Sequence, residues 1–100
     1  MGMVKNIKQL DEARKESTIK AFERLRGDWD KHVFGEHFRA RQGERFPAVL
    51  DIQIHRVIEK GTVTKVGPGK YNNWKIEVKG STAGDEILVV IDVSEFRLKL

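Results

Sequence analysis

Glu86-Ile87-Leu88-Val89-Val90-Ile91-Asp92-Val93 holds five consecutive apolar residues without a charge, four of them β-branched. The run is too short to cross a bilayer, which needs about 20 apolar residues, and its β-branched residues favour a strand. Ile87, Val89 and Ile91 point one way and Leu88 and Val90 the other. Apolar side chains on both faces predict a central strand, covered on both sides.

The period of two extends across the last forty residues. Thr62 to Val66 reads as a short strand, and Gly67-Pro68-Gly69 as a turn. Tyr71 to Lys79 alternates, with Trp74, Ile76 and Val78 on the core side and Lys75, Glu77 and Lys79 on the wet side. Gly80 to Gly84 reads as a loop, and Phe96, Leu98 and Leu100 as a last strand. Connections this short imply antiparallel pairing.

Towards the N-terminus the period changes. Ile7, Leu10, Arg14, Thr18, Ala21 and Leu25 recur at helical spacing, with Phe22 beside them. Asp11 with Lys15 and Glu16 with Lys20 support that helix at i,i+4, and Gly27 suits its exit. Asp28 suits the cap of a second helix carrying Trp29, Val33, Phe34 and Phe38 and ending at Gly43. Residues 47 to 60 fit an alternating strand or a helix. Pro47 at the entry, with Lys60 and Gly61 at the exit, favours the helix. The expectation is one α+β domain over 1–100: an N-terminal helical extension (1–26), helices over 28–60, and an antiparallel sheet of three to four strands over 62–100. Phe22, Leu25, Val33, Phe38, Leu50, Ile54 and Ile58 are expected to cover that sheet.

Composition narrows the classes of function. The chain has 100 residues, 39% hydrophobic and 34% charged, as suits a single globular domain with a polar surface. The absence of cysteine excludes disulfides, thiolate metal sites and a cysteine nucleophile, and points to a reducing, cytoplasmic setting. No apolar leader follows Met1-Gly2-Met3-Val4-Lys5-Asn6, so no membrane partner is expected. The net charge of +4 favours polyanionic partners. His32, His37 and His55 lack the spacing and supporting ligands of a metal site, so no metal or other cofactor is expected. Gly67-Pro68-Gly69-Lys70 lacks the spacing of a phosphate-binding loop.

Two basic regions carry the chemistry that remains. His37, Arg39, Arg41 and Arg45 crowd the segment before residue 47, while Lys65, Lys70, Tyr71, Lys75 and Lys79 lie on or beside the predicted hairpin. RNA cleavage without metal needs a proton-transfer group, a cation for the phosphate and a surface on which a base can stack. Histidine, arginine and tyrosine supply these. The plainer reading of the same residues is a solvated basic surface, serving a non-catalytic binding module or an accessory protein of a phage or mobile element.

From His37-Phe38-Arg39-Ala40-Arg41, through Glu59-Lys60-Gly61-Thr62-Val63 and Gly69-Lys70-Tyr71, to Ile87–Ile91, the chain resembles the small BrnT-like domains related to the RelE and ParE toxins. The resemblance covers about half of the sequence, and residues 1–26 depart from it. It implies helices layered on an antiparallel sheet and a toxin-like endoribonuclease, acting on RNA or the ribosome and checked by a small antitoxin-like protein. His37 and Arg41 match that family's histidine and arginine. The catalytic set would be His37 as general acid/base, Arg41 as phosphate clamp and Tyr71 as stacking or positioning residue. Arg39, Arg45, Lys65, Lys70, Lys75 and Lys79 would bind the nucleic acid.

Overall fold

A computed structural model describes residues 7–45, 47–69, 73–82 and 84–100. In chain order they form α1 (Ile7–Leu25), a single 3-10 turn (Trp29–Lys31), β1 (His32–Val33), α2 (Glu36–Arg45), α3 (Asp51–Lys60), β2 (Thr62–Pro68), β3 (Trp74–Thr82), β4 (Asp85–Val93) and β5 (Leu98–Lys99). The strands make one sheet in the order β1-β5-β4-β3-β2. The α+β class holds, with the helices N-terminal to most of the sheet. The sheet is mixed, however, and has five strands, because β1 joins it parallel to β5.

The long hairpin is the frame. Each residue of β3 faces one of β4, from Trp74 opposite Val93 to Thr82 opposite Asp85. The pairing therefore runs through the stretch 80–82, where the sequence predicts a loop, and Gly84 takes the turn at φ 83°. β2 pairs with β3 from Thr62 opposite Lys79 to Pro68 opposite Trp74. Gly67 and Pro68 thus still belong to the strand. The turn starts at Gly69, whose amide donates to the Asn73 carbonyl at 2.7 Å. The strand expected from Tyr71 begins at Trp74.

β4 is central, but only one of its faces is buried. Ile87, Val89, Ile91 and Val93 lie in the core with Ile76, Val78 and Leu98. Leu88 and Val90 are 52% and 43% exposed on the other face. Residues 28–60 supply too few apolar side chains for a second covering layer. Both packed helices, α1 through Ala21, Phe22 and Leu25 and α3 through Ile54, Val57 and Ile58, share the first face.

The second helix expected from Asp28 is replaced by three shorter elements. Asp28 does cap, accepting from the Asp30 amide at 3.1 Å, but the turn it starts lasts three residues. His32 and Val33 then pair with Leu98 and Lys99. The Leu100 amide donates to the Val33 carbonyl, and the Gly35 amide to the Leu100 carbonyl. Weak helical propensity at His32, Val33 and Gly35 yields to sheet bonds made by the far end of the chain. α2 begins only after Gly35 and runs through Gly43 to Arg45. Val33 consequently covers no strand, and Leu50, just ahead of α3, is 62% exposed. Phe22, Leu25, Ile54 and Ile58 are buried as expected, with Phe38 partly so. The ambiguous segment over 47–60 resolves as helix over 51–60. Gln53 Oε1 accepts from the Leu50 amide at 2.7 Å and satisfies a donor at the helix entry.

Two outcomes check this layering. Val89→Asp should abolish cooperative denaturant unfolding, because it places an unpaired carboxylate in the core at a cost of several kcal/mol. Leu88→Thr should stay within about 0.5 kcal/mol of the parent. A comparable loss at Leu88 would mean that the second face is covered.

Close approach makes Gly61 equally sensitive. A Cβ there would stand 2.5 Å from the Val57 carbonyl oxygen and 2.6 Å from Val78 Cγ1, whereas one on Gly43 would meet nothing within 4 Å. Gly61→Ala should cost about 1–3 kcal/mol, and Gly43→Ala should gain about 1 kcal/mol in the same chemical melts.

Candidate functional site

α2 is built to be seen from outside. It buries no residue fully. Phe38 packs partly against the core and lies 5.4 Å from the Phe34 ring. On the same side Gln42 donates to the Val49 carbonyl at 2.9 Å, and Arg39 grips Asp51 through Nη1 and Nη2 at 2.5 and 2.9 Å. The hydrogen bond to Asp51 keeps Arg39 firmly protonated, and the same bond holds the Asp51 carboxyl below the usual carboxylate range. Its remaining sides carry His37, Arg41 and Arg45, all exposed and, among the described residues, without a hydrogen bond or ion pair.

The expected hairpin cations lie elsewhere. β3 alternates, so Lys75, Glu77 and Lys79 share the open face of the sheet. Lys65, opposite Glu77, joins them. Acids stand among these lysines: Asp92 is opposite Lys75, and Glu86 binds Lys79 at 2.9 Å. Lys70 and Tyr71 lie outside the described residues. The structure therefore brings His37, Arg41 and Arg45 together on one helix, and Lys65, Lys75 and Lys79 together on one sheet face. α2 follows β1 at one edge of the sheet, and β2 forms the opposite edge. A concavity of about 440 Å³ is lined by Arg24, Leu25, Lys31, Glu95 and Phe96, and includes neither His37 nor Arg41.

Beneath α2 lies a cluster that periodicity alone does not assemble. His32 Nδ1 and His55 Nδ1 are 2.7 Å apart, and His32 Nε2 is 3.0 Å from the Arg26 carbonyl. A carbonyl only accepts, so His32 Nε2 carries the hydrogen and its Nδ1 is the acceptor. His55 then donates from Nδ1 and leaves its own Nε2 unprotonated. The two imidazoles meet edge to edge through that bond. Trp29 and Phe34 instead stack on His55, with centroids at 4.8 and 4.9 Å. Trp29 Nε1 donates to Glu59 at 2.7 Å, and Arg39 lies over Phe34 at 4.4 Å. Arg26 closes the far side, donating to the Ile58 and Gly61 carbonyls at 3.1 and 2.7 Å. Asp51, His55 and Glu59 sit at i, i+4 and i+8, so this stripe on α3 is visible in the sequence. Its partners 20 to 30 residues earlier are not.

Burial is the main cause that pushes both imidazoles below their usual range. For His32 the nearby His55 adds to it and the Arg26 carbonyl opposes it. For His55 the Asp51 charge opposes it and Arg39 adds to it. No group of three or more metal-ligating side chains occurs among the described residues. Likewise, no described helix is long and apolar enough to cross a membrane. No family model matches the chain, and neither a curated protein nor a solved structure matches it.

A histidine that resists protonation when folded lets the unfolded chain bind more protons as pH falls below about 6.5. The pair's contribution to stability is therefore complete above that pH and declines as pH drops through it. Asp51, held low by Arg39, adds a second decline below about pH 4. Thermal melts should show a plateau above pH 7 and these two descents. His55→Phe should make the first descent shallower, leaving the part that the buried His32 contributes. A flat profile from pH 7.5 to 5 in the parent would contradict the arrangement.

Proposed function

We propose that this chain is an RNA-directed binding domain whose phosphate contacts come from the outward stripe of α2. The observation that carries the reading is the division of labour among its cations. Arg39 and Lys79 are held by acids within the chain, while Arg41 and Arg45, one turn apart and in line with the His37 side chain, have no internal partner among the described residues. Successive members of an i, i+4, i+8 stripe are about 6 Å apart along the helix axis. Two arginines at that spacing suit the repeating charges of a nucleic-acid backbone, and arginine holds phosphate bidentately.

The enzymatic alternative is a toxin-like, metal-independent endoribonuclease. It is favoured by the placement of His37 and Arg41 on adjacent turns, which offers a proton-transfer group and a phosphate cation to one scissile bond. Cleavage of RNA in the presence of a chelator, lost in His37→Ala and Arg41→Ala, is the outcome that would select it. Retention of a small acidic protein through purification would add the antitoxin-like partner.

For binding, the measurement is affinity for single-stranded and duplex RNA against salt. Each phosphate that a protein neutralises contributes about 0.7 to the slope of log affinity on log salt for single strands, and about 0.9 for duplex DNA. Arg41→Ala and Arg45→Ala should each lower the slope by about the share of one phosphate, and Lys79→Ala should change it much less. Absence of binding to RNA at low salt would sink the proposal.

A further inference from the structure

We propose that the His32–His55 pair is an acid-released latch, which fastens β1 and the turn before it to α3 and frees them when the pair takes up a second proton. This goes beyond the reading of α2 and does not depend on its ligand.

The positions of the protons decide how the latch behaves. The neutral pair has one hydrogen on His32 Nε2, given to the Arg26 carbonyl, and one on His55 Nδ1, given to His32 Nδ1. The first added proton has a place to go, since His55 Nε2 is bare. It leaves both bonds intact and creates a cation stacked on Trp29 and Phe34, where ring quadrupoles favour it. The second can go only to His32 Nδ1. Two N–H groups would then face each other across 2.7 Å, on two cations, and the rings must part.

The charged groups around the pair do not alter that outcome. Arg26 at the end of α1 and Asp28 in the following turn flank His32, while Asp51 and Glu59 flank His55 on α3. Arg39 reaches in from α2 over Phe34. From β5, Leu98 lies opposite His32 and Lys99 opposite Val33. Asp51 favours the proton on His55 and Asp28 one on His32. None of the three acids accepts a hydrogen bond from the second proton, which points at His55.

What parts is lightly held. β1 has two residues and pairs only with β5, which also has two, at the end of the sheet away from the β2–β3 hairpin. The core residues of β3, β4, α1 and α3 make no use of the imidazole bond. Release is therefore local, and it moves the anchor of α2, because Phe34 and Gly35 tie α2 to that edge.

The test is nuclear magnetic resonance of the intact chain from pH 7.5 to 4.5. At neutral pH, imidazole nitrogen shifts should show the Nε2–H form for His32 and the Nδ1–H form for His55. On acidification, protection of the Gly35 and Leu100 amides should fall at least tenfold relative to Ile76, Val89 and Ile91. His55→Phe keeps a ring against Trp29 and Phe34 but presents no N–H to His32, so in it the acid-dependent loss should disappear. If that variant does not fold, the tautomers and the protection pattern of the parent decide by themselves. Opposite tautomers, unchanged protection at Gly35 and Leu100, or their loss only together with Ile76, Val89 and Ile91, would overturn the latch.

Discussion

Ile76, Val78, Val89 and Ile91 share one apolar face of the sheet, and the other elements are arranged by the need to cover it. These residues come from two strands locked in register by a tight turn, so they form a continuous patch as soon as the hairpin closes. An open patch of that kind has to be covered, and burial of each such side chain is worth about 1.5–3 kcal/mol. α3 covers it with Ile54, Val57 and Ile58, and α1 with Ala21, Phe22 and Leu25. Gly61 and Gly80 record how closely they come, since a Cβ on Gly61 would run into both α3 and the hairpin and one on Gly80 would press tightly on Val57. With one face so occupied, the remaining elements can only finish the rim. β1 and β5 extend one edge, and β2 supplies the other. The shifted register after Val63 and the proline at position 68 are features that discourage further pairing at an edge.

How much of this the sequence discloses depends on whether the information is local. The helix over 7–25 and the three long strands each rest on a run of side chains with a single period and are legible, whereas the apolar residues over 47–60 fit either period and only Pro47, Lys60 and Gly61 at the ends favour the helix. The errors share a physical origin. Leu88 and Val90 look like core in a run of five apolar residues, but burial of a second face depends on how many covering helices exist elsewhere. Residues 28–35 look like the start of a helix because Asp28 caps and Trp29, Val33 and Phe34 keep helical spacing. Their real partners are Leu98, Lys99 and Leu100, some 65 residues later, and His55 on α3. Periodicity within a window holds no trace of such bonds.

The same distinction separates the two groups of candidate residues. The exposure of His37, Arg41 and Arg45 can be read from their own helix, whose charged side chains outnumber its apolar ones. In the sequence Arg39 looks like one more solvated charge of that stripe. Its role as a clamp needs Asp51, which lies on the next helix. Lys75 and Lys79 fall on the wet side of a strand, as their alternation predicts. Their acidic neighbours Asp92 and Glu86 follow only from the register of β3 on β4. Each cation's value to a polyanion is thus decided by whether an acid of the chain already holds it, and that is a property of the fold.

α2 poses the remaining physical problem, because a ten-residue helix that buries no residue has little reason to persist alone in water, where isolated helices shorter than about 12–15 residues are marginal. Its contacts supply the reason. Glu36 stands in its first turn and Arg45 in its last, each opposite in sign to its end of the helix dipole. Phe38 packs against Phe34, Gln42 ties it to the Val49 carbonyl, and the two-pronged Arg39–Asp51 bond fixes its rotation on α3. All three attachments lie on one side. Such one-sided mooring keeps the helix formed and its rotation fixed while leaving the stripe of His37, Arg41 and Arg45 in solvent. Phe34 also touches His55, and Asp51, which holds Arg39, lies one turn before His55 on α3, so the imidazole pair and the exposed stripe share neighbours on both sides of α2's mooring.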